Sequence, residues 1–280
     1  MKTVTFYYVR HGKTEFNDEG VIQGGRVDSP LVPETLPVIE QSARALAGIG
    51  FARCYCSPLG RAQETARLLV DGMGETGRLE VRTLDDLREF DFGEVDGKRY
   101  ADFAPRFVRC FVRQDFSPVG GESGRQVRAR VRRAFSRMLS ESADDDAVLV
   151  VAHGALFRYV LLEFAGDMGP LGRRLRSLTV RTPNAGIGVV VGCEADGERD
   201  AAAGGAAAGA GTGAGTGAGT GADGGSGAGG AGGVDSCGVA GAGGSPDVVR
   251  GGLGHGMSFR LVQLPLSGED FAKTRYGEPR

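Results

Sequence analysis

The sequence predicts an α/β fold, a three-layer sandwich in which a mainly parallel central sheet is flanked by helices. Short apolar segments recur along the chain and end near turn-forming residues, as strands do. Segments with helical spacing of apolar residues lie between them. Two of the apolar segments, residues 4–9 and 148–152, are followed by a histidine and a glycine at their carboxyl ends. Strands that alternate with helices in this way form mainly parallel sheets covered on both faces.

Five segments are strand candidates because each is apolar and ends near Gly, Pro, Ser or Asp. They are residues 4–9, 51–57, 80–84, 147–152 and 187–191. An alternating pattern returns at residues 257–266, where Phe259, Leu261 and other apolar residues recur. We expect residues 186–191 and 258–264 to be neighbouring strands of the same sheet.

Apolar residues at helical spacing predict four helices between the strands. They lie within residues 38–47, 59–69, 103–112 and 127–139. Gly48 and Gly50 end the first, and Pro58 stands at the first turn of the second, a position that tolerates proline. An apolar helical stretch also follows residue 154. We expect the two Phe- and Arg-rich helices, 103–112 and 127–139, to cover the carboxyl edge of the sheet as a lid.

The composition changes abruptly after residue 194. Residues 195–255 are rich in Gly and Ala, repeat the tetrapeptide GAGT three times, and contain almost no large apolar side chains. Such a segment cannot bury enough surface to offset its ordering entropy. We therefore predict a disordered Gly/Ala-rich insertion at 195–255 in a strand–strand connection. Residues 1–194 and 256–280 are predicted to form one domain, because the last segment is too short to fold alone.

Composition excludes several functional classes. The net charge of −2 argues against nucleic-acid binding, which needs a basic surface. The first residues are too short and strand-like for a secretory signal. The apolar stretch 148–166 is interrupted by His153, Arg158 and Glu163, which argues against a membrane span.

The five cysteines are scattered without metal-binding spacing, which indicates reduced thiols. We expect a cytoplasmic protein that binds neither nucleic acid nor membrane, and no motif specifies its oligomeric state.

The carboxyl ends of two predicted strands carry the residues best suited to chemistry. Arg10, His11 and Gly12 follow the first strand, and His153 and Gly154 follow the fourth. The chain contains three histidines in all. Parallel strands end at the same edge of a sheet, which is where open α/β sheets bind ligands. The sequence therefore predicts a phosphate site with paired imidazoles.

On these motifs the chain resembles the histidine phosphatase superfamily, which has the phosphoglycerate-mutase-like fold, in the branch of small phosphatases and cofactor-dependent mutases. The matching segments follow one another in the order of the family. They are Arg10-His11-Gly12 with Thr14, Glu15 and Asn17; Gln23-Gly24 with residues 28–31; residues 57–66; Leu87-Arg88-Glu89 with Phe92, Gly93 and Gly97; residues 121–123; and residues 151–154. Two features depart from the family: Val95 stands where many members carry Trp, and the glycine-rich tract is inserted.

The resemblance implies a phosphohistidine mechanism. It assigns His11 as the nucleophile and Glu89 as the acid that protonates the leaving oxygen. Arg10, Arg61 and His153 would bind the phosphoryl oxygens and stabilise the charge that shifts in the transition state. Glu89 lies in an acidic loop that offers other carboxylates for its role. They are Asp85, Asp86, Asp91, Glu94 and Asp96.

Further substrate contacts are predicted around these groups. The amide of Asn17 can donate a hydrogen bond, and Gln23 belongs to the next matching loop. At Gly12, Gly24 and Gly154 the missing side chain would let backbone N–H groups approach an anion. Arginines concentrate between residues 99 and 137, which suits either an anionic substrate or a solvated helix face. Glu122 opens a predicted helix, where it serves as a cap or supports the site.

The predicted activity is that of a metal-independent phosphomonoesterase, with no cofactor, acting on a small phosphorylated metabolite. No metal-ligand motif is present, and the interval of 64 residues from Glu89 to His153 is short for the glycerate mutases. Two alternatives stay open. One is a phosphoglycerate-mutase-type phosphotransferase, and the other is a non-catalytic, phosphate-binding regulatory domain.

Overall fold

The computed structural model describes residues 1–195, 256–274 and 276 of the 280-residue chain. Within them a six-stranded sheet lies between two layers of helices. The strands are β1 (Lys2–Arg10), β2 (Phe51–Cys56), β3 (Val81–Thr83), β4 (Ala147–Ala152), β5 (Ile187–Glu194) and β6 (Met257–Leu266). The helices are α1 (Glu15–Asp18), α2 (Leu36–Leu46), α3 (Gly60–Gly72), α4 (Tyr100–Arg113), α5 (Gly124–Glu141), α6 (Gly154–Phe164), α7 (Pro170–Thr179) and α8 (Gly268–Ala272).

The sheet has the order β3-β2-β4-β1-β5-β6. Strands β3, β2, β4 and β1 are parallel, whereas β5 and β6 pair in antiparallel fashion at one side. The predicted mainly parallel sheet is confirmed. The register of β1 and β4 pairs Arg10 with Ala152, so that both strands end at the same level. The residues that follow them, His11 and His153, are thereby brought side by side.

Alternate residues of each central strand face the two helical layers. In β1, Phe6 and Tyr8 join a core with α5 and α6. Tyr7 and Val9 join a second core with α2, α3 and α8. A strand buried on both faces is apolar throughout rather than at alternate positions. This is why the central strands could be recognised in the sequence and why the fold has three layers.

The predicted lid divides into two helices with different environments. Helix α5 buries Val127, Val131 and Phe135 in the core, so the prediction that it covers the edge of the sheet is wrong. Its apolar residues form a continuous stripe four residues apart, which suits packing on a sheet. Helix α4 buries only Cys110 fully, and its half-buried Phe107 contributes to a cleft beside the sheet edge.

Three of the cysteines, Cys54, Cys56 and Cys110, are buried free thiols. Burial raises the pKa of the Cys56 thiol to about 11, so it stays protonated at neutral pH. Protonated thiols are poor nucleophiles. The prediction of reduced thiols is wrong for Cys193, which is disulfide-bonded.

No helix in the described parts of the chain is long and apolar enough to cross a membrane. The apolar stretch 148–166 is instead divided between β4 and α6, with His153 between them. Both elements are buried against other parts of the domain.

Strands β5 and β6 are neighbours in the sheet, as predicted, and they pair in antiparallel fashion. Glu194 pairs with Met257, and the N–H of Ala195 donates to the carbonyl of Gly256 at 3.3 Å. The chain therefore leaves and re-enters the domain at adjacent positions. The Gly/Ala-rich tract that we predict to be a disordered insertion lies outside the described residues.

Replacing residues 196–255 with a five-residue Gly/Ser turn should leave the domain folded and active. Closure entropy depends on the logarithm of loop length, so this shortening should raise the free energy of unfolding by only roughly 2 kcal/mol. Thermal melts in reducing buffer and activity assays measure both effects. A Gly/Ser tract of the original length is the control and should melt with the wild type. Loss of folding, or a higher KM at unchanged stability, would show that the tract packs on the domain.

Candidate active site

His11 lies at the carboxyl end of β1, in the centre of the sheet edge. Its backbone N–H donates to the carbonyl of Ala152 at 2.9 Å. Its side chain is only 4% exposed, and Nδ1 lies 2.7 Å from the carbonyl oxygen of Gly12. Because a carbonyl only accepts hydrogen bonds, Nδ1 carries the proton. The lone pair is therefore on Nε2, which is left as the nucleophilic nitrogen.

The surroundings keep the His11 imidazole neutral. Burial lowers its pKa well below the ordinary value of 6.5, and the positive charges of Arg61 and Arg10 lower it further. Both effects disfavour the protonated ring. At neutral pH His11 thus has the unprotonated nitrogen that nucleophilic attack requires.

His153 faces His11 from the end of the neighbouring strand. The two ring centroids are 5.2 Å apart, and the ring planes are inclined by 59°. The His153 side chain is fully buried, and neither ring nitrogen has a hydrogen-bond partner among the described residues. A buried polar atom without a partner costs about 1–3 kcal/mol. The His153 nitrogens therefore mark a place where a polar ligand would be stabilising.

Two arginines, Arg10 and Arg61, also have buried polar atoms without a hydrogen-bond partner among the described residues. Arg61, on α3, is 1% exposed and donates from Nη1 to Asp28 at 2.7 Å and from Nη2 to the carbonyl of Gly24 at 3.1 Å. Arg10 donates from Nη1 to the carbonyl of Thr182. The Nε atoms of both arginines are buried and, in the described ranges, have no partner. Unpaired donors on two guanidinium groups and an imidazole suit an anion.

Glu89 reaches the same edge from the loop after β3. Its Oε1 accepts from the N–H groups of Phe90 and Leu156, both at 2.9 Å, and Oε2 accepts from Ala155 at 3.1 Å. The carboxyl group therefore caps the first turn of α6, directly after His153. Burial raises the pKa of Glu89, although these hydrogen bonds and Arg61 oppose the increase. A carboxyl group with a raised pKa can act as an acid near neutral pH.

Arg130 holds the loop that carries Glu89, and the sequence analysis missed it. Its guanidinium forms a bidentate pair with Glu122, with both N–O distances at 2.9 Å. It also donates to the carbonyls of Arg88 at 2.6 Å and Glu89 at 3.2 Å. Of the two roles considered for Glu122, the structure thus favours support of the site, since Ser123 is the cap of α5.

The amides of Asn17 and Gln23 are used within their own loops. Asn17 Oδ1 accepts from the N–H of Thr14 at 3.3 Å and completes the capping box of α1. Gln23 accepts from the Thr14 hydroxyl at 2.8 Å and donates to Ser29 at 3.0 Å. Contact of these two side chains with a substrate stays a prediction.

The glycines of the predicted site are required mainly for close packing. The N–H of Gly12 donates to Thr65 at 3.0 Å, and that of Gly24 donates to Asp96. A direct bond from either N–H to an anion therefore stays a prediction that this arrangement does not favour. A Cβ at Gly24 would lie 2.5 Å from the carbonyl of Phe90. One at Gly154 would lie 3.2 Å from Nε of Arg10.

Tyr8 fixes the backbone of His153 from beneath. Its hydroxyl donates to the carbonyl of His153 at 2.7 Å and accepts from the N–H of the same residue at 3.0 Å. The tyrosine is buried on β1 and packs against Phe157 with ring centroids 5.2 Å apart. This side chain therefore connects β1 to the turn that presents His153.

Tyr8→Phe should lower the free energy of unfolding by about 1–3 kcal/mol, because the buried N–H of His153 loses its acceptor. Urea unfolding measures the change. Tyr100→Phe is the matched control, because Tyr100 is 45% exposed, and it should change stability by less than about 0.5 kcal/mol. Equal, small effects of the two substitutions would contradict the bridging role.

Across the residues that the structure describes, no group of three or more His, Cys, Asp or Glu side chains is placed to hold a metal ion. The positive charge at the sheet edge is supplied by Arg10, at the end of β1, and by Arg61, on α3. His11, His153 and Glu89 lie at the same edge. The arrangement combines a neutral imidazole, cationic donors and a buried carboxyl group. It is suited to transfer of an anionic group.

Comparison with known proteins supports this interpretation. The sequence profile of the histidine phosphatase superfamily (branch 1) matches residues 6–194. A 2,3-bisphosphoglycerate-dependent phosphoglycerate mutase of Azorhizobium caulinodans is 34% identical over 62% of this chain and 87% of its own length. The fructose-2,6-bisphosphatase TIGAR B of Danio rerio is 28% identical over 67% of this chain and 86% of its own.

Solved structures show the same fold. The mycobacterial glucosyl-3-phosphoglycerate phosphatase superposes with a TM-score of 0.56 at 27% sequence identity, covering 69% of this chain and 92% of that one. A phosphoglycerate mutase of Bacillus anthracis superposes with a TM-score of 0.57 at 25% identity, covering 68% and 88%. Phosphatases and mutases are thus both among the proteins that this chain resembles.

Proposed function

The chain belongs to branch 1 of the histidine phosphatase superfamily, and from this premise we propose that it is a metal-independent phosphomonoesterase acting on a small phosphorylated metabolite. The observation that carries the proposal is the set of unpartnered buried donors around a neutral His11. They are Nε of Arg10, Nε of Arg61 and the one ring nitrogen of His153 that carries its proton, because burial lowers the pKa of His153 well below 6.5 and keeps the ring neutral. Phosphoryl oxygens would satisfy these donors.

In the first step, Nε2 of His11 attacks phosphorus in line with the ester oxygen. The P–N bond forms as the P–O ester bond breaks. Arg10, Arg61 and His153 stabilise the charge on the phosphoryl oxygens. Glu89 gives its proton to the leaving oxygen, which departs as an alcohol.

In the second step, the Glu89 carboxylate accepts a proton from water, which attacks the phosphohistidine. The P–N bond breaks, inorganic phosphate leaves, and His11 returns to its neutral form. Glu89 ends the cycle protonated, as it began. One carboxyl group therefore serves first as acid and then as base.

A screen of phosphomonoesters for release of inorganic phosphate tests the proposal. We expect several small monoesters to be hydrolysed, with one class preferred. The second candidate is a mutase, which the relative of 34% identity favours. Interconversion of phosphoglycerates faster than phosphate release would establish that alternative. Phosphate binding without turnover of any ester would indicate a regulatory domain.

Activity should survive excess EDTA, because Arg10 and Arg61 supply the charge that metal ions supply in other phosphatases. Phosphate release measured before and after chelation should agree within about twofold. A magnesium-dependent phosphatase treated in the same buffer is the control and should lose its activity. Complete loss that added metal restores would contradict the proposed chemistry.

A further inference from the structure

A cleft of about 600 Å³ opens beside Arg10 and Gly154, between α4 and the start of α6. Its walls are mainly aromatic and aliphatic. They include Phe92, Tyr100, Phe107, Phe111, Val112 and Leu178. If Arg10 holds the phosphate, the rest of the substrate would lie between these walls. The cleft therefore favours a flat apolar body next to the phosphate.

One charged side chain besides Arg10 lies in this lining. Arg158, on α6, is four residues beyond Gly154, about 6 Å along the helix axis. Its guanidinium carbon lies 4.0 Å from the centroid of the Phe111 ring. Stacking on an aromatic face fixes the plane of a guanidinium and leaves its edges for hydrogen bonds.

The guanidinium group of Arg158 has a donor without a hydrogen-bond partner. Its Nη1 is buried and has no hydrogen-bond partner in the part of the chain that the structure describes. Burial lowers the pKa of Arg158, as expected for a cation withdrawn from water. Neighbouring arginines of the protein are paired: Arg128 and Arg132 both contact Glu163. Arg158 lines the cleft, and its unpaired donor is available to a polar group that binds there.

We propose that Arg158, stacked on Phe111, binds a second anionic group of the substrate. The substrate class is a phosphomonoester whose apolar body carries a carboxylate or a second phosphate at its far end. Carboxylates and phosphates both accept two parallel hydrogen bonds from a guanidinium. The inference rests on the proposed function for its phosphate end and adds the recognition of the other end.

Calorimetric titration with two non-hydrolysable phosphonates tests this subsite without requiring turnover. The probes are 4-carboxybenzylphosphonate and its neutral carboxamide. The wild type should bind the carboxylate at least about tenfold more tightly, corresponding to about 1.4 kcal/mol. Arg158→Met, which retains an apolar stem over Phe111, should reduce that ratio to about one. Arg109→Met alters an exposed arginine of α4 and should retain the wild-type ratio.

Hydrolysis of 4-carboxyphenyl phosphate and 4-carbamoylphenyl phosphate separates this inference from the proposed function. Turnover of both esters without preference for the carboxylate, together with equal phosphonate affinities, would overturn the subsite and leave the phosphatase activity standing. Discrimination between phosphonates without hydrolysis of either ester would retain the subsite and overturn the proposed activity. If Arg158→Met does not fold, Arg158→Lys should retain part of the preference, and the wild-type ratio still decides.

Discussion

His11→Ala should abolish turnover, lowering kcat by roughly 10⁴-fold or more, the effect expected when a covalent nucleophile is removed. The imidazole is held by Gly12 with its lone pair on Nε2, and no neighbouring group duplicates it. His153 lies 5.2 Å away, centroid to centroid, at the end of a different strand, and its proposed role is to bind the phosphoryl oxygens. Brief incubation of the wild type with substrate labelled on phosphorus should trap an acid-labile, base-stable adduct that maps to His11.

The third histidine provides the control for this experiment. His255 lies outside the described residues, and His255→Ala should retain both the adduct and normal turnover. The phosphohistidine mechanism is wrong if the label maps to another residue. It is equally wrong if His11→Ala keeps a near-normal rate while the protein remains folded by its thermal melt.

Glu89→Gln should lower kcat by about 10²–10⁴-fold, the usual contribution of a general acid. The loss should be smaller for 4-nitrophenyl phosphate, whose leaving group departs without a proton. The pKa of Glu89 is raised chiefly by burial, so the acid keeps its proton at higher pH than an exposed carboxyl group. For poor leaving groups the wild-type rate should therefore fall as pH rises through that raised pKa.

The structural role of Glu89 must be separated from its chemistry, because its carboxylate also accepts hydrogen bonds from the first turn of α6. Glu94→Gln is the control within the same loop, since Glu94 is exposed and forms an ion pair with the surface residue Arg106 at 3.6 Å. It should not change the rate. An equal loss on every leaving group in Glu89→Gln would indicate a structural role and assign the acid to another carboxylate.

The central sheet and its edge were predictable because their signals are local. Strands buried on both faces are continuously apolar, and the His-Gly pairs mark where two of them end. The lid was not predictable in the same way. Helices α4 and α5 both carry apolar residues at intervals of four, and only the neighbouring elements decide that Phe135 enters the core while Phe107 borders a cleft.

The residues that support the site are harder to recognise in the sequence. Arg130 lies in the apolar stripe of α5 next to Val127 and Val131, and a charge at such a position could have indicated a buried ion pair. The role of Tyr8 could not be recognised in the sequence, because its hydrogen-bond partner is the backbone of His153, 145 residues away. A hydrogen bond to backbone places no requirement on the identity of the distant residue.

The three N–H groups that hold Glu89 have a consequence for the proposed reaction cycle. They belong to its own loop and to the start of α6, so they favour the same rotamer whether the carboxyl group has lost or kept its proton. The positive end of the helix stabilises the anion, which partly offsets the effect of burial. In the proposed cycle, Glu89 would therefore stay in place between the two half-reactions and change only its protonation.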